Sequence, residues 1–208
     1  MSPEAWPALA LAAGDDAHLR ETPLARESVF QGRLLNVVRD TVRLPDGETA
    51  TRVLIVHPGA VMVIPVLDDG RLVVERQFRH PMGSVVIEFP AGKKDASEAS
   101  LRCAARELHE ETGLRAREWA LAGQLAPSVA YTDERIDIWL ARGLTQGAHA
   151  RDEGEFLDVC LSDLAQLESM ARDGRVVDSK TLIGLWWLRQ WRDGTWQPVW
   201  QSVDHEGF

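Results

Sequence analysis

Gly92-Lys93-Lys94-Asp95-Ala96-Ser97-Glu98 and, seven residues on, Arg106-Glu107-Leu108-His109-Glu110-Glu111-Thr112-Gly113-Leu114 form the stretch that decides how this chain folds. Glu107, Glu110 and Glu111 stand at i, i+3 and i+4, so on a helix they share one face. Three carboxylates that close repel one another, and a purely structural helix rarely gathers them without cations. Arg106 reaches Glu110 at i+4 and can steady it, Arg102 one turn back can add support, and Glu98 suits the positive end of the helix dipole. Hard divalent cations take oxygen ligands, and Mg²⁺ prefers a few carboxylates supplemented by water and substrate phosphate. On such a platform a cation neutralises a diphosphate, lowers the pKa of a water and clamps attacking and leaving oxygens. For three glutamates alone, a solvated acidic face with i,i+4 pairs is the plainer alternative.

Outward from that stretch the hydrophobic period changes. Ser100 to Thr112 reads as a helix with Leu101, Ala104, Ala105, Leu108 and Thr112 on its less polar face and Gly113 at the C′ position. Ahead of it, Ser28-Val29-Phe30, Leu34 to Val42 and Thr51 to His57 read as strands, with a turn at Leu44-Pro45-Asp46-Gly47-Glu48. Ala60 to Leu67 is a β-branched run ended by Asp68-Asp69-Gly70, Arg71 to Gln77 is expected as its hairpin partner, and Val85 to Phe89 stops at Pro90-Ala91-Gly92. Beyond the helix come strands at Trp119 to Leu125, Ile136 to Ala141 and Phe156 to Leu161. A helix follows from an expected N-cap at Ser162 to about Asp173, and a last one, capped by Asp178, runs to about Trp191. Residues 1–25, rich in Ala and Pro, are expected as a loose arm. The pattern predicts an α/β (α+β) fold of mixed strands with three helices. Two domains are expected: residues 1–58, an N-terminal arm and β-region, and residues 59–208, which hold the acidic stretch.

The 208 residues carry a formal net charge of −9, which argues against extended contacts with nucleic acid or an anionic membrane. An acidic protein that handles phosphates needs a cation between itself and its substrate. Two cysteines, Cys103 and Cys160, without any C-x-x-C or Cys/His cluster, read as apolar thiols in a reducing compartment rather than zinc ligands. No run is long and apolar enough to span a membrane, and the apolar start from Met1 to Ala13 lacks the basic n-region of a signal peptide, so a cytoplasmic location is expected.

The whole stretch matches Gly-x5-Glu-x7-Arg-Glu-aliphatic-x-Glu-Glu-x-Gly-aliphatic at every position and so resembles the Nudix box of the Nudix hydrolase superfamily. Seven identities at fixed spacing make this far more specific than a lone glycine motif. The likeness extends to Glu75-Arg76-Gln77-Phe78-Arg79, to Glu88-Phe89-Pro90-Ala91-Gly92 and to Asp178-Ser179-Lys180-Thr181, and over roughly Glu27 to Trp191 is similar to the ADP-ribose pyrophosphatase branch. The resemblance implies an α-β-α sandwich with a mixed sheet, an N-terminal antiparallel β-region that packs across a homodimer, and hydrolysis of ADP-ribose to AMP and ribose 5-phosphate with Mg²⁺, for which Mn²⁺ can substitute.

Carried over by position, the resemblance makes Glu107 and Glu111 the central metal ligands, with Glu110 close by and the Ala91 carbonyl as a further one. Arg106 orients the glutamates. The base that deprotonates the attacking water is expected on the loop Arg151-Asp152-Glu153-Gly154-Glu155: Glu153 first, with Glu155 as its alternative or as a ligand to another metal. Arg52 and Arg79 match arginines that meet phosphate and ribose, where a planar guanidinium suits bidentate recognition. Glu134 is expected to line the substrate pocket, and Phe30 or a tryptophan to stack on adenine. The branch carries Ser-Pro-Gly after the box, where this chain has Ser128-Val129-Ala130 preceded by Pro127. Val129 in place of that proline leaves GDP-mannose, NADH or another nucleoside diphosphate derivative as alternative substrates. A non-catalytic nucleotide-sugar sensor should have lost metal-binding glutamates, and all are present here.

Overall fold

The computed structural model describes residues 16–147, Gly154 and 156–203. Two compact units form. One comprises the chain up to Val56 together with Ala130–Thr132, and the other comprises His57–Val129 and the chain from Asp133 onward.

The first unit is an antiparallel sheet in the order β1(Thr22–Gln31), β2(Asn36–Arg43), β3(Thr49–Val56). Strand β1 therefore begins inside the stretch expected as a loose arm. The turn at 44–48 closes the second hairpin, Leu44 donating its N–H to the Glu48 carbonyl and Gly47 to that of Leu44. Ile55 donates to the Tyr131 carbonyl at 2.8 Å and bridges Thr132, which draws 130–132 into this unit. On β2, alternate residues Val38, Asp40 and Val42 are buried, and the Asp40 carboxylate is held bidentately by Arg26 at 2.7 Å and 2.7 Å. Every residue of β1 is exposed.

The second unit has two sheets. Five strands run in the order β11(Gln201–Ser202), β8(Leu114–Leu125), β9(Ile136–Gln146), β4(Ala60–Pro65), β7(Ala91–Lys93), and three in the order β10(Leu157–Ser162), β5(Leu72–Arg79), β6(Ser84–Glu88). β4 and β9 are parallel and the other pairs antiparallel, so the larger sheet is mixed. The hairpin expected between β4 and β5 does not form. The turn at Asp68-Asp69-Gly70 is present, but β4 goes to β9 and β7 while β5 goes to β10 and β6, leaving one bridge, Val66 to Leu72. Adjacent strands thus diverge into different sheets, a choice that local turn chemistry does not encode.

Strand β4 is buried along its whole length and faces two cores. Val61 and Val63 pack with Cys103, Ala104 and Leu108 of α1(Ser100–Thr112) and with Trp119 and Trp139. Met62 and Ile64, alternate by the pleat, pack with Phe89, with Leu167 of α2(Leu164–Arg172) and with Leu185 and Leu188 of α3(Ser179–Arg192). Helix α1 therefore covers one face and α2 and α3 the other, an α-β-α sandwich. Full burial of a side chain such as Leu108 contributes about 2 kcal/mol.

Helix α1 spans the residues its periodicity indicates and ends where Gly113, at φ 76°, takes the left-handed conformation and donates its N–H to the His109 carbonyl. Asp163, not Ser162, caps α2: its carboxylate accepts the Gln166 N–H at 2.8 Å, while the Ser162 hydroxyl donates to the Gln166 side chain. Asp178 caps α3 as expected, accepting the Thr181 N–H at 2.9 Å. After α3 the chain returns across β8. Trp187 meets Trp196 at 4.8 Å between ring centroids, Trp191 meets Trp200 at 5.5 Å, and Arg142 lies 4.0 Å over the Trp200 ring. These contacts lay β11 along the β8 edge, with Gln201 opposite Trp119 and Ser202 opposite Glu118.

Candidate active site

The acidic face of α1 is organised around one guanidinium. Arg106 donates to Glu98 at 3.0 and 2.9 Å, to Glu107 at 2.8 Å, to Glu110 at 2.9 Å and to the Lys93 carbonyl at 3.0 Å. This ties the helix to the strand and loop before it. The Arg106 bond holds the Glu98 carboxyl down at about 2, with burial opposing and the Asp95 N–H assisting. Glu98 thus acts as an anchor across the loop rather than as a charge on the helix dipole. Arg102 is exposed and joins no ion pair among the described residues. Burial pushes the nearby Cys103 thiol far up, so it is an inert packing group.

Glu111 is buried, and its carboxylate accepts the Ala91 N–H at 3.1 Å. Gly92 sits directly under Glu107: a Cβ there would lie 1.9 Å from that carboxyl carbon and 2.0 Å from one of its oxygens. Only glycine allows this approach. Glu107, Glu111 and the main chain of Ala91 and Gly92 are thus brought together, the neighbourhood that the resemblance implies. Among the described residues no three acidic, histidine or cysteine side chains converge into a finished cage, because the carboxylates face Arg106 and the main chain. The donor set is nevertheless all oxygen, acidic and pressed against β7 through a gap that any larger residue would close, and this suits a hard divalent cation.

Beside the glutamates lies a cleft of about 370 Å³, lined among others by Arg79, Ala91, Gly92, Pro127, Glu134 and Lys180. That is within the usual range for a small-molecule site. Its Arg79 guanidinium is held bidentately by Glu88 at 2.7 and 3.0 Å. Lys180 donates to the same carboxylate and lies 3.1 Å from Asp178. Burial would raise the Glu88 carboxyl, but Arg79 and Lys180 outweigh it and hold it below its ordinary value. The Glu88 bond in turn raises Arg79. The Thr181 hydroxyl accepts the Phe89 N–H at 3.1 Å, so the start of α3 is fastened to the end of β6. On the opposite rim, Glu134 stands 3.7 Å from the His57 ring.

Arg79, Glu134, Ala91, Arg106, Glu107, Glu110 and Glu111 therefore lie in this unit at or beside the cleft. Arg52 and Phe30 lie in the other unit. Arg52 is ion-paired with Glu21, and Phe30 is 56% exposed on β1. Glu153 and Glu155 fall outside the described residues. Glu88 and Lys180 were not singled out from the sequence as site residues, since they meet across 92 positions. Pro127 lines the cleft, whereas Val129 is 80% exposed and is not among the lining residues.

The NUDIX domain model matches residues 56–183, more than half of the chain. The chain belongs to the NUDIX family. The model of the nucleoside diphosphate sugar hydrolase N-terminal domain matches residues 21–54, the first unit's three strands. The NUDIX relatives include an ADP-ribose pyrophosphatase of Bacillus subtilis, 33% identical over 82% of this chain and 94% of its own. An ADP-ribose pyrophosphatase of Mycobacterium tuberculosis is 31% identical over 84% and 86%. A methanol dehydrogenase activator of Bacillus methanolicus is 34% identical over 81% and 92%. A solved structure of an ADP compounds hydrolase superposes with a TM-score of 0.76 at 26% identity, covering 85% of this chain and 97% of that one. This NUDIX protein is a pyrophosphohydrolase of the nucleoside diphosphate sugar type. Among its described residues no helix is long and apolar enough to cross a membrane.

Proposed function

We propose that the chain hydrolyses the diphosphate of ADP-ribose, consuming one water and releasing AMP and ribose 5-phosphate, with Mg²⁺ as the working cation and Mn²⁺ as a substitute. The carrying observation is the placement of Glu107, Glu111 and the close Gly92 contact beside a cleft whose wall presents Arg79 and Lys180. Glu107, Glu111 and the Ala91 main chain would hold the cation, with Glu110 in reserve. When bound, it supplies charge neutralisation of the diphosphate and a more acidic water. Arg106 holds Glu107 and Glu110 in place. Arg79, preset by Glu88, offers a planar donor fork to phosphate. Glu134, which lines the cleft, would receive a sugar hydroxyl. The proton of the attacking water goes to Glu153 or Glu155, a role that rests on the resemblance.

Residues 1–58 serve, on this reading, as the dimerisation and substrate-contact region, with Arg52 and Phe30 supplied to an active site of a homodimer. The fully exposed β1, with Leu24, Val29 and Phe30 uncovered, supports an assembly of two copies. No nucleic acid or membrane partner is proposed, and the cytoplasm is the proposed location.

A panel of ADP-ribose, GDP-mannose, NADH, UDP-glucose and diadenosine polyphosphates, each with Mg²⁺ and with chelator, tests the activity. Mg²⁺-dependent AMP release fastest from ADP-ribose is expected, and a faster rate on another substrate overturns the substrate while leaving the chemistry. Light scattering on the eluting protein should give the mass of two chains.

A further inference from the structure

A second polar cluster lies behind the glutamates, on the far side of the loop that connects β7 to α1. At its centre is Asp137 of β9, 9% exposed. One of its carboxylate oxygens accepts two donors at 2.6 Å each: the ammonium of Lys94, the residue that follows β7, and the hydroxyl of Ser100, the first residue of α1. Its other oxygen accepts the Gln124 side-chain amide of β8 at 2.9 Å. The Ser100 hydroxyl in turn accepts the Trp139 indole N–H at 2.9 Å. Burial alone would push the Asp137 carboxyl up, and the donors from Lys94, Ser100 and Gln124 outweigh it. No group of this cluster lines the cleft, so substrate contact does not account for it.

The placement of the donors is what matters. A single oxygen grips both ends of the loop 94–100 and so sets how far α1 stands from β7. That separation is the dimension on which the glutamates depend, because Glu107 presses on Gly92 and Glu111 takes the Ala91 N–H across the same gap. Inside the loop, Ser97 holds φ at 64°, the only non-glycine in the left-handed region among the described residues, so the path is not the chain's relaxed one. Main-chain bonds from Lys94 to the Gly59 carbonyl at 3.0 Å and from Glu98 to the Asp95 carbonyl at 3.0 Å complete the brace.

We propose that Asp137 is a positioning residue for the divalent-cation site: by holding Lys94 and Ser100 on one oxygen, it fixes the gap between β7 and α1 in which Glu107, Glu111 and the main chain take the metal. This rests on the metal reading given above. Partners hydrogen-bonded directly to metal ligands are worth on the order of 10–100-fold in metal affinity; Asp137 acts one step further out, through the ends of the loop.

The test is Mn²⁺ binding to the full chain, read from the electron paramagnetic resonance signal of free Mn²⁺. The parent is compared with Asp137→Ala and with the double variant Lys94→Met/Asp137→Leu, which replaces the ion pair by apolar groups of similar size and so protects the fold. Both should weaken Mn²⁺ binding by about 10-fold, the lower end of the range for direct partners of ligands. The double variant should still melt cooperatively, and its turnover should recover towards that of the parent at saturating Mn²⁺. A double variant that melts cooperatively and binds Mn²⁺ like the parent overturns the proposal, as does turnover that stays low however much Mn²⁺ is added. Glu107→Gln separates the two levels: if it too leaves Mn²⁺ binding intact, the metal reading itself falls. Loss in Glu107→Gln with no change in the Asp137 variants removes the positioning role alone.

Discussion

Two charged clusters flank the cleft, and they are built as opposites. On α1 one guanidinium, Arg106, is shared among Glu98, Glu107 and Glu110, with Glu111 one turn further on. On the facing wall one carboxylate, Glu88, is shared between Arg79 and Lys180, with Asp178 balancing the lysine. The first cluster has anionic charge in excess, which on the proposed function a cation would complete. The second is balanced, and its donors are aligned before any ligand arrives. A diphosphate is an anion that needs metal on one side and aligned donors on the other, and neither cluster alone would bind it well. On the proposed function, the difference is how an acidic chain would handle an acidic substrate: the excess negative charge is gathered where the metal would bind and cancelled where the phosphate would lie.

The sharpest way to break this division is Glu111→Gln. The amide can still take the Ala91 N–H through its oxygen, so cooperative melting should persist, while AMP release should fall by more than about 100-fold. Near-normal turnover would remove the metal role from α1.

Next comes Glu98→Gln, which leaves Arg106 with less to hold. The folded-state pKa of Glu98 lies at about 2, below the ordinary 4.5, so its contribution is fully present above about pH 4.5 and is lost as pH falls towards 2. The variant should be less stable by about 2 kcal/mol at pH 7. Thermal melts should show this gap closing between about pH 4.5 and pH 2, and a pH-independent gap would refute the ion pair.

Arg79→Lys keeps the charge of the facing wall but loses the fork, and should raise KM about 10-fold with a smaller change in kcat. Steady-state kinetics on ADP-ribose decides this, and equal losses in both constants would move Arg79 from binding into the chemical step. The smallest expected effect is from Val129→Ala, less than about twofold on any substrate, because that side chain is exposed. Pro127→Ala should do more. The reverse order would return substrate choice to position 129.

Helix α1 was legible to the residue, because its apolar stripe, terminal glycine and carboxylate face all lie within a few turns of chain. So was the Asp178 cap, while the approach of the glutamates to Ala91 and Gly92 came from the resemblance and not from spacing. The partition of β4 and β5 between sheets was not, since a two-sided buried strand reads the same whichever neighbour it takes. Nor was the Glu88–Lys180 pair or the Asp137 brace, because each joins residues far apart in the chain through a single side-chain contact that leaves no period or spacing behind. Ser162 and Asp163 are both good caps in adjacent positions, and only the backbone at Asp163 decides between them.

The two-residue strand β11 carries a consequence for handling the protein. It occupies the outer edge of the five-stranded sheet against the twelve-residue β8, held there by the tryptophan contacts. A truncation after Arg192 would leave the cleft lining in place but uncover Glu118 and Trp119, the β8 positions that β11 pairs, and so extend an open strand edge, the kind of template on which chains assemble side by side. Such a preparation would lose material to aggregates with age while each remaining soluble molecule kept its full specific activity.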